Sequence, residues 1–137
     1  MATDRTDTVL WILLGIGVVG TLFTHGRYLP RYGLEITLEA VPIVVTAWLS
    51  VALLFYALGR LFADPPELPS MRGGDVGVAL IVLSLLLAGG LSNYGFVPRA
   101  VPWLYVALAI ALYAGLALVG WSLGQRTRAV NRLVEDL

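Results

Sequence analysis

Four stretches of this chain are apolar for as long as a lipid bilayer is thick, and that limits its fold more than any other feature. A hydrocarbon core of about 30 Å takes roughly 20 helical residues at about 1.5 Å each, with about 17 as a lower bound. Thr8–Thr24, Ala40–Gly59, Val76–Asn93 and Ala100–Gln125 meet that length without one Asp, Glu, Lys or Arg inside. In lipid no water is at hand for the backbone N–H and C=O groups, so a spanning segment must satisfy them within itself, as a helix does.

Composition points the same way. Hydrophobic residues make up 58% of the 137 and charged residues 13%, against about 45–50% and about 25% in soluble domains. A domain near this size buries only about two-thirds of the surface its unfolded chain exposes, so the excess apolar surface needs a medium other than water. The expected fold is all-α: an integral membrane four-helix domain over residues 1–125, followed by a cytoplasmic basic tail, 126–137. The flank before the first span mixes Asp4, Arg5 and Asp7, and no Ala-x-Ala site follows, so that span reads as retained and not as a cleaved signal peptide.

The connections, about Gly26–Glu39, Leu61–Asp75 and Tyr94–Arg99, are short, which predicts antiparallel neighbours in an up-down-up-down bundle. Asp64-Pro65-Pro66-Glu67-Leu68-Pro69 reads as a stiff turn, and Gly73-Gly74 as the release into the third span. Arginine counts set the orientation. Arg5, Arg60, Arg72, Arg126, Arg128 and Arg132 share one side; Arg27, Arg31 and Arg99 share the other. Six against three places both termini on the cytoplasmic side, with Trp11 and Trp121 near the inner interface and Trp103 near the outer one.

Two segments align without a gap: Thr24-His25-Gly26-Arg27-Tyr28-Leu29-Pro30-Arg31 and Ser92-Asn93-Tyr94-Gly95-Phe96-Val97-Pro98-Arg99. Ala40-Val41-Pro42 and Ala100-Val101-Pro102 then open the spans that follow, and proline suits a helix's first turn because no hydrogen bond is lost there. One reading is a duplicated two-helix hairpin. The other is that proline and arginine collect in outer loops.

Chemistry-bearing residues are few. There is no cysteine, which removes disulfides, thiolate metal sites and thiol redox chemistry, and His25 is the single histidine. The string Gly15-x-Gly17-x-x-Gly20 matches a dinucleotide fingerprint, but no strand precedes it and it lies inside an apolar span. Gly17 and Gly20, with Ala107, Ala111, Gly115, Gly120 and Gly124, read instead as small-residue faces for helix packing; Ser84, Ala88 and Ser92 form a similar stripe. No span carries an ionisable residue in its middle, which disfavours ion-coupled transport, and no nucleophile–base pair stands out. The chain is therefore expected not to be an enzyme and to need no cofactor. Its zero net charge gives no support for nucleic-acid binding, and no small-molecule substrate is identified.

Two polar sets remain. His25, Arg27, Arg31, Glu35, Glu39, Asn93, Tyr94 and Arg99 should share the outer face, where they bind something or serve as ordinary interfacial anchors. If the repeats face each other, His25 approaches Asn93. At the inner face, Arg126, Arg128 and Arg132 should contact anionic lipid or a partner, each cation near an acidic leaflet contributing about 1 kcal/mol. Val130, Leu133, Val134 and Leu137 give that tail an amphipathic pattern.

The partners expected are membrane lipids, other membrane proteins or copies of the chain itself. Three functions fit: a structural or scaffolding membrane protein, a small oligomeric channel or transporter, and an anchor or accessory subunit of a larger complex. All nine basic residues are arginine, a style shared by haloarchaeal and other GC-rich genomes. With the four-span size and the basic tail, this resembles the small internal membrane proteins of lipid-enveloped pleomorphic viruses of haloarchaea. The resemblance implies a structural role in a virion envelope and transfers no functional residue; a cellular haloarchaeal membrane protein fits the same features.

Overall fold

A computed structural model describes residues 2–32 and 37–137, apart from the side chains of residues 2–4, 29 and 32. Every regular element among the described residues is helical. Helix α1 (Ala2–Phe23) runs into a π-helical turn (Thr24–Tyr28) and a short α2 (Leu29–Tyr32); α3 (Val41–Phe62), α4 (Arg72–Asn93) and α5 (Pro102–Glu135) follow. Four helices are long and apolar enough to cross a membrane: Arg5–Tyr28, Val41–Phe62, Arg72–Asn93 and Pro102–Glu135.

The helix ends follow from local chemistry. Pro42 and Pro102 lie in the first turns of α3 and α5, as their sequence positions predict. Helix α3 stops at Ala63, which turns extended, and Asp64 beyond it precedes Pro65 and so is disfavoured in the helical region. Helix α4 closes in a Schellman motif: Gly95 takes φ +85°, its N–H donates to Ser92 O at 3.1 Å, and the Phe96 N–H donates to Leu91 O at 3.0 Å. The aligned segment after α1 carries its glycine one place earlier, at position 26, and the chain there stays helical through the π turn. Similar sequences thus take different backbones, because a left-handed cap depends on glycine at one position. Gly73 and Gly74, expected to release the chain into the third span, lie inside the first turn of α4 against Ser122.

The four long helices pack in the order α1, α3, α5, α4. The close approaches are made at glycines, where the absent Cβ lets backbones meet. A Cβ on Gly17 would stand 2.9 Å from the Leu54 backbone, and one on Gly20 would stand 2.7 Å from Ser50 Oγ. Gly59 faces the Trp121 carbonyl, and Gly120 and Gly124 face the carbonyls of Ala52 and Tyr56. Gly77 and Gly115 face each other's carbonyl oxygens, the geometry of a reciprocal Cα–H···O contact. Residue numbers rise together across the α3–α5 contact and run oppositely across α1–α3 and α4–α5. Val51, Leu112 and Leu116 form a small buried core, flanked by Trp48, Phe55, Ile81 and Tyr113.

Burial is otherwise slight. Only 17% of the spanning stretch is buried in three of the helices, and 22% in α5. Ile12, Val19 and Leu22 on α1 and Val82, Leu83 and Leu86 on α4 are among many large apolar side chains left exposed.

Candidate functional site

Two polar assemblies lie at opposite ends of the helices. The first is built around the π turn. A π turn widens the helix by one residue and is often found at functional positions. Here it carries His25 and turns it inward. The imidazole Nε2 lies 2.5 Å from the Tyr113 hydroxyl of α5, and Nδ1 lies 2.8 Å from the Thr21 carbonyl oxygen and 3.1 Å from Thr24 Oγ1. Nδ1–H donation to Thr21 O would leave Nε2 to accept from Tyr113. The rings of His25 and Tyr113 also meet edge to face, their centroids 5.2 Å apart. Trp48 of α3 and Tyr113 of α5 flank the same small core, so α1, α3 and α5 converge around this hydroxyl. An apolar recess of about 430 Å³ between α3, α4 and α5 borders both Trp48 and Tyr113.

This differs from the outer polar cluster the sequence suggested. His25 lies within the first spanning helix, half-buried, and bonds to Tyr113, whereas Asn93 is exposed at the end of α4. The hairpin containing His25 contacts the other hairpin through α3 and α5, which leaves α1 and α4 on opposite flanks. Arg27, Arg31, Glu39, Tyr94 and Arg99 are exposed around that end, and Glu35 is outside the described residues. The signal for Tyr113 was only its hydroxyl in an apolar span; its distance from His25, 88 residues along the chain, concealed the pair.

The second assembly lies at the end that holds both termini. Helix α5 continues without a break through Arg126, Arg128 and Arg132; at 34 residues it is about 51 Å long, well beyond a bilayer core of about 30 Å. The three arginines turn back onto the α3–α4 connection. Arg126 donates to Pro69 O at 3.1 Å. Arg128 donates to Arg60 O at 3.1 Å and Leu61 O at 2.5 Å, satisfying carbonyls that the end of α3 leaves without intrahelical partners. Arg132 forms a 2.5 Å ion pair with Asp64, and this hydrogen bond, more than the charge alone, holds the Asp64 carboxyl below the usual carboxylate range.

Between this extension, the end of α3 and the start of α1 lies a polar cavity of about 420 Å³. Arg60, Arg128 and Arg132 line it together with Asp7, Glu135, Asn131 and Trp11. Arg60 places one guanidinium N–H on Tyr56 Oη at 3.2 Å and stacks over that ring at 5.9 Å, but its Nε is buried with no hydrogen-bond partner. An unsatisfied buried donor of this kind costs about 1–3 kcal/mol. Arg60 entered the sequence reading only as an orientation signal, and Asp7 only as part of the flank; neither predicted a cavity.

Of the packing residues expected, Gly17, Gly20, Gly115, Gly120 and Gly124 sit at helix crossings, Ala111 is half-buried and Ala107 is exposed. Gly59 and Gly77, their partners across the crossings, were missed. Comparison with protein-family models, curated protein sequences and solved structures finds no match to this chain.

Proposed function

We propose that this chain is a non-enzymatic, multi-pass membrane protein that acts as a structural or scaffolding element. It crosses the bilayer four times, up-down-up-down, with both termini on the cytoplasmic side, or inside the particle if the membrane is a virion envelope. The observation that carries the reading is the exterior: the spanning helices leave most of their apolar surface outside the protein's own core. With lipid as apolar as leucine, helix association then rests on close backbone contact, which the glycine crossings supply.

The arginine-rich end fits the inner interface, where cations meet anionic headgroups or an acidic partner. An anchor subunit of a larger complex uses the same surfaces, with a protein in place of some lipid. A small channel or transporter is the second reading, favoured by the His25–Tyr113 hydrogen bond that joins the π turn to α5.

Cysteine labelling tests the topology cleanly, because the natural chain has no cysteine. Glu67→Cys and Leu137→Cys should be shielded from an impermeant maleimide applied outside, while Leu38→Cys and Val97→Cys should react. Labelling of all four from one side refutes the topology. Proton or ion flux through purified protein in liposomes, abolished by Tyr113→Phe, would replace the scaffold reading with the channel reading.

A further inference from the structure

We propose that the cavity at the terminal end is a binding site for a phosphodiester headgroup that also carries a primary ammonium, of the phosphoethanolamine type. The inference rests on reading that end as a membrane interface, and it names a ligand that the scaffold reading leaves open.

The cavity holds opposite charges in separate places. Arg60 rises from the end of α3 and Arg128 from α5, and both line the cavity. Arg128 spends one terminal nitrogen on the carbonyls that end α3, which fixes its guanidinium and leaves further N–H donors for an oxyanion. Guanidinium groups match phosphate geometry, and two of them lining one cavity from α3 and α5 can share a phosphodiester between them. Arg132 is already paired with Asp64 and plays the smaller part.

Asp7 on α1 and Glu135 on α5 share the same lining. Their carboxylates repel a second anion and accept hydrogen bonds from an ammonium; a choline headgroup, which has no N–H, cannot donate them. On the lipid side Trp11 and Phe62 meet edge to face with centroids 6.1 Å apart and stay exposed, and Leu10 below them is buried. An indole at this depth suits the headgroup level of a bilayer, and acyl chains leaving the cavity would run along these side chains. The chemistry read is therefore a phosphate and an ammonium on one small polar group with an apolar continuation.

The test uses the full chain purified in mild detergent, titrated separately with phosphatidylethanolamine, phosphatidylcholine, phosphatidylglycerol and inorganic phosphate. Bound lipid is counted by native mass spectrometry and thermal unfolding is followed in parallel. Phosphatidylethanolamine should bind about tenfold more tightly than either other lipid, a difference of about 1.4 kcal/mol. Arg60→Gln should remove that advantage. Asp7→Asn changes an exposed side chain, so it should leave the fold intact and turn the preference toward phosphatidylglycerol. That reversal keeps the proposal testable if Arg60→Gln misfolds. Equal binding of the three lipids, or an unchanged preference in Asp7→Asn, refutes it. Inorganic phosphate binding as well as the lipid would refute the lipid source and leave a soluble anion site. Because labelling topology is measured independently, a correctly oriented chain without headgroup preference would overturn this inference alone.

Discussion

Replacing Gly124 with alanine adds one methyl group at the tightest crossing of the molecule. The new Cβ would fall onto the Tyr56 carbonyl oxygen, 3.0 Å from Arg60 N and 3.1 Å from Gly59 Cα. All three are backbone atoms of α3, so no rotamer change makes room, and α3 and α5 must separate. Overpacking costs about 1–3 kcal/mol, and the lost Cα–H···O contacts add about 0.5–1 kcal/mol each. Alanine's better helix propensity returns about 1 kcal/mol. The net expectation for Gly124→Ala is a loss of about 1–2 kcal/mol. Gly15→Ala and Gly89→Ala are the controls, since a Cβ at either meets nothing within 4 Å, and they should gain up to about 1 kcal/mol. The contrast of about 2–3 kcal/mol is roughly 30- to 150-fold in the unfolding equilibrium. Unfolding by added sodium dodecyl sulfate in mixed micelles, followed by circular dichroism, measures it. Equal midpoints for the three variants would refute the glycine-crossing account of packing.

Tyr113→Phe removes the hydroxyl bonded to His25 Nε2, and should destabilise the protein by about 1–3 kcal/mol through the ring nitrogen left unpaired; the same micelle assay reads it. Arg128→Gln uncaps α3, so amide exchange should quicken over residues 57–62 and stay unchanged over the α4–α5 contact. Because the Asp64 pKa is lowered in the folded protein, the Asp64–Arg132 pair contributes above the ordinary carboxylate pKa and is lost as pH falls through the lowered value. Thermal unfolding of the wild type should therefore approach that of Asp64→Asn in acid and exceed it slightly at neutral pH, the margin being small for an exposed pair. Changing Arg126, Arg128 and Arg132 to glutamine together should leave membrane insertion intact and weaken association with acidic liposomes in flotation assays; unchanged association would remove these residues from the functional account.

Length and hydropathy located the four helices because lipid imposes a minimum apolar run that few other environments require. Pro42 and Pro102 marked two starts correctly for a backbone reason that holds in any solvent. Other features were hidden by the same medium. In water an amphipathic stripe shows which helix face turns inward, but a helix surrounded by lipid is apolar all round. The order α1–α3–α5–α4 and the partner glycines Gly59 and Gly77 therefore left no periodic trace. His25 looked like a surface residue because its span seemed to end at Thr24; the π turn carries the helix onward and brings the ring to Tyr113. The tail read as an amphipathic helix with arginines facing lipid or a partner; spacing within the tail could not show that they reach back to Pro69, Arg60, Leu61 and Asp64.

Spin labels on single introduced cysteines report the surroundings of each helix face most directly. Labels at Ile12, Val82 and Val106 should collide readily with dissolved oxygen and rarely with a polar nickel chelate, as hydrocarbon contact demands, while a label at Leu133 on the projecting end of α5 should show the reverse. Nickel access equal to oxygen access at Ile12, Val82 and Val106 would place those faces in water and contradict a membrane-spanning fold.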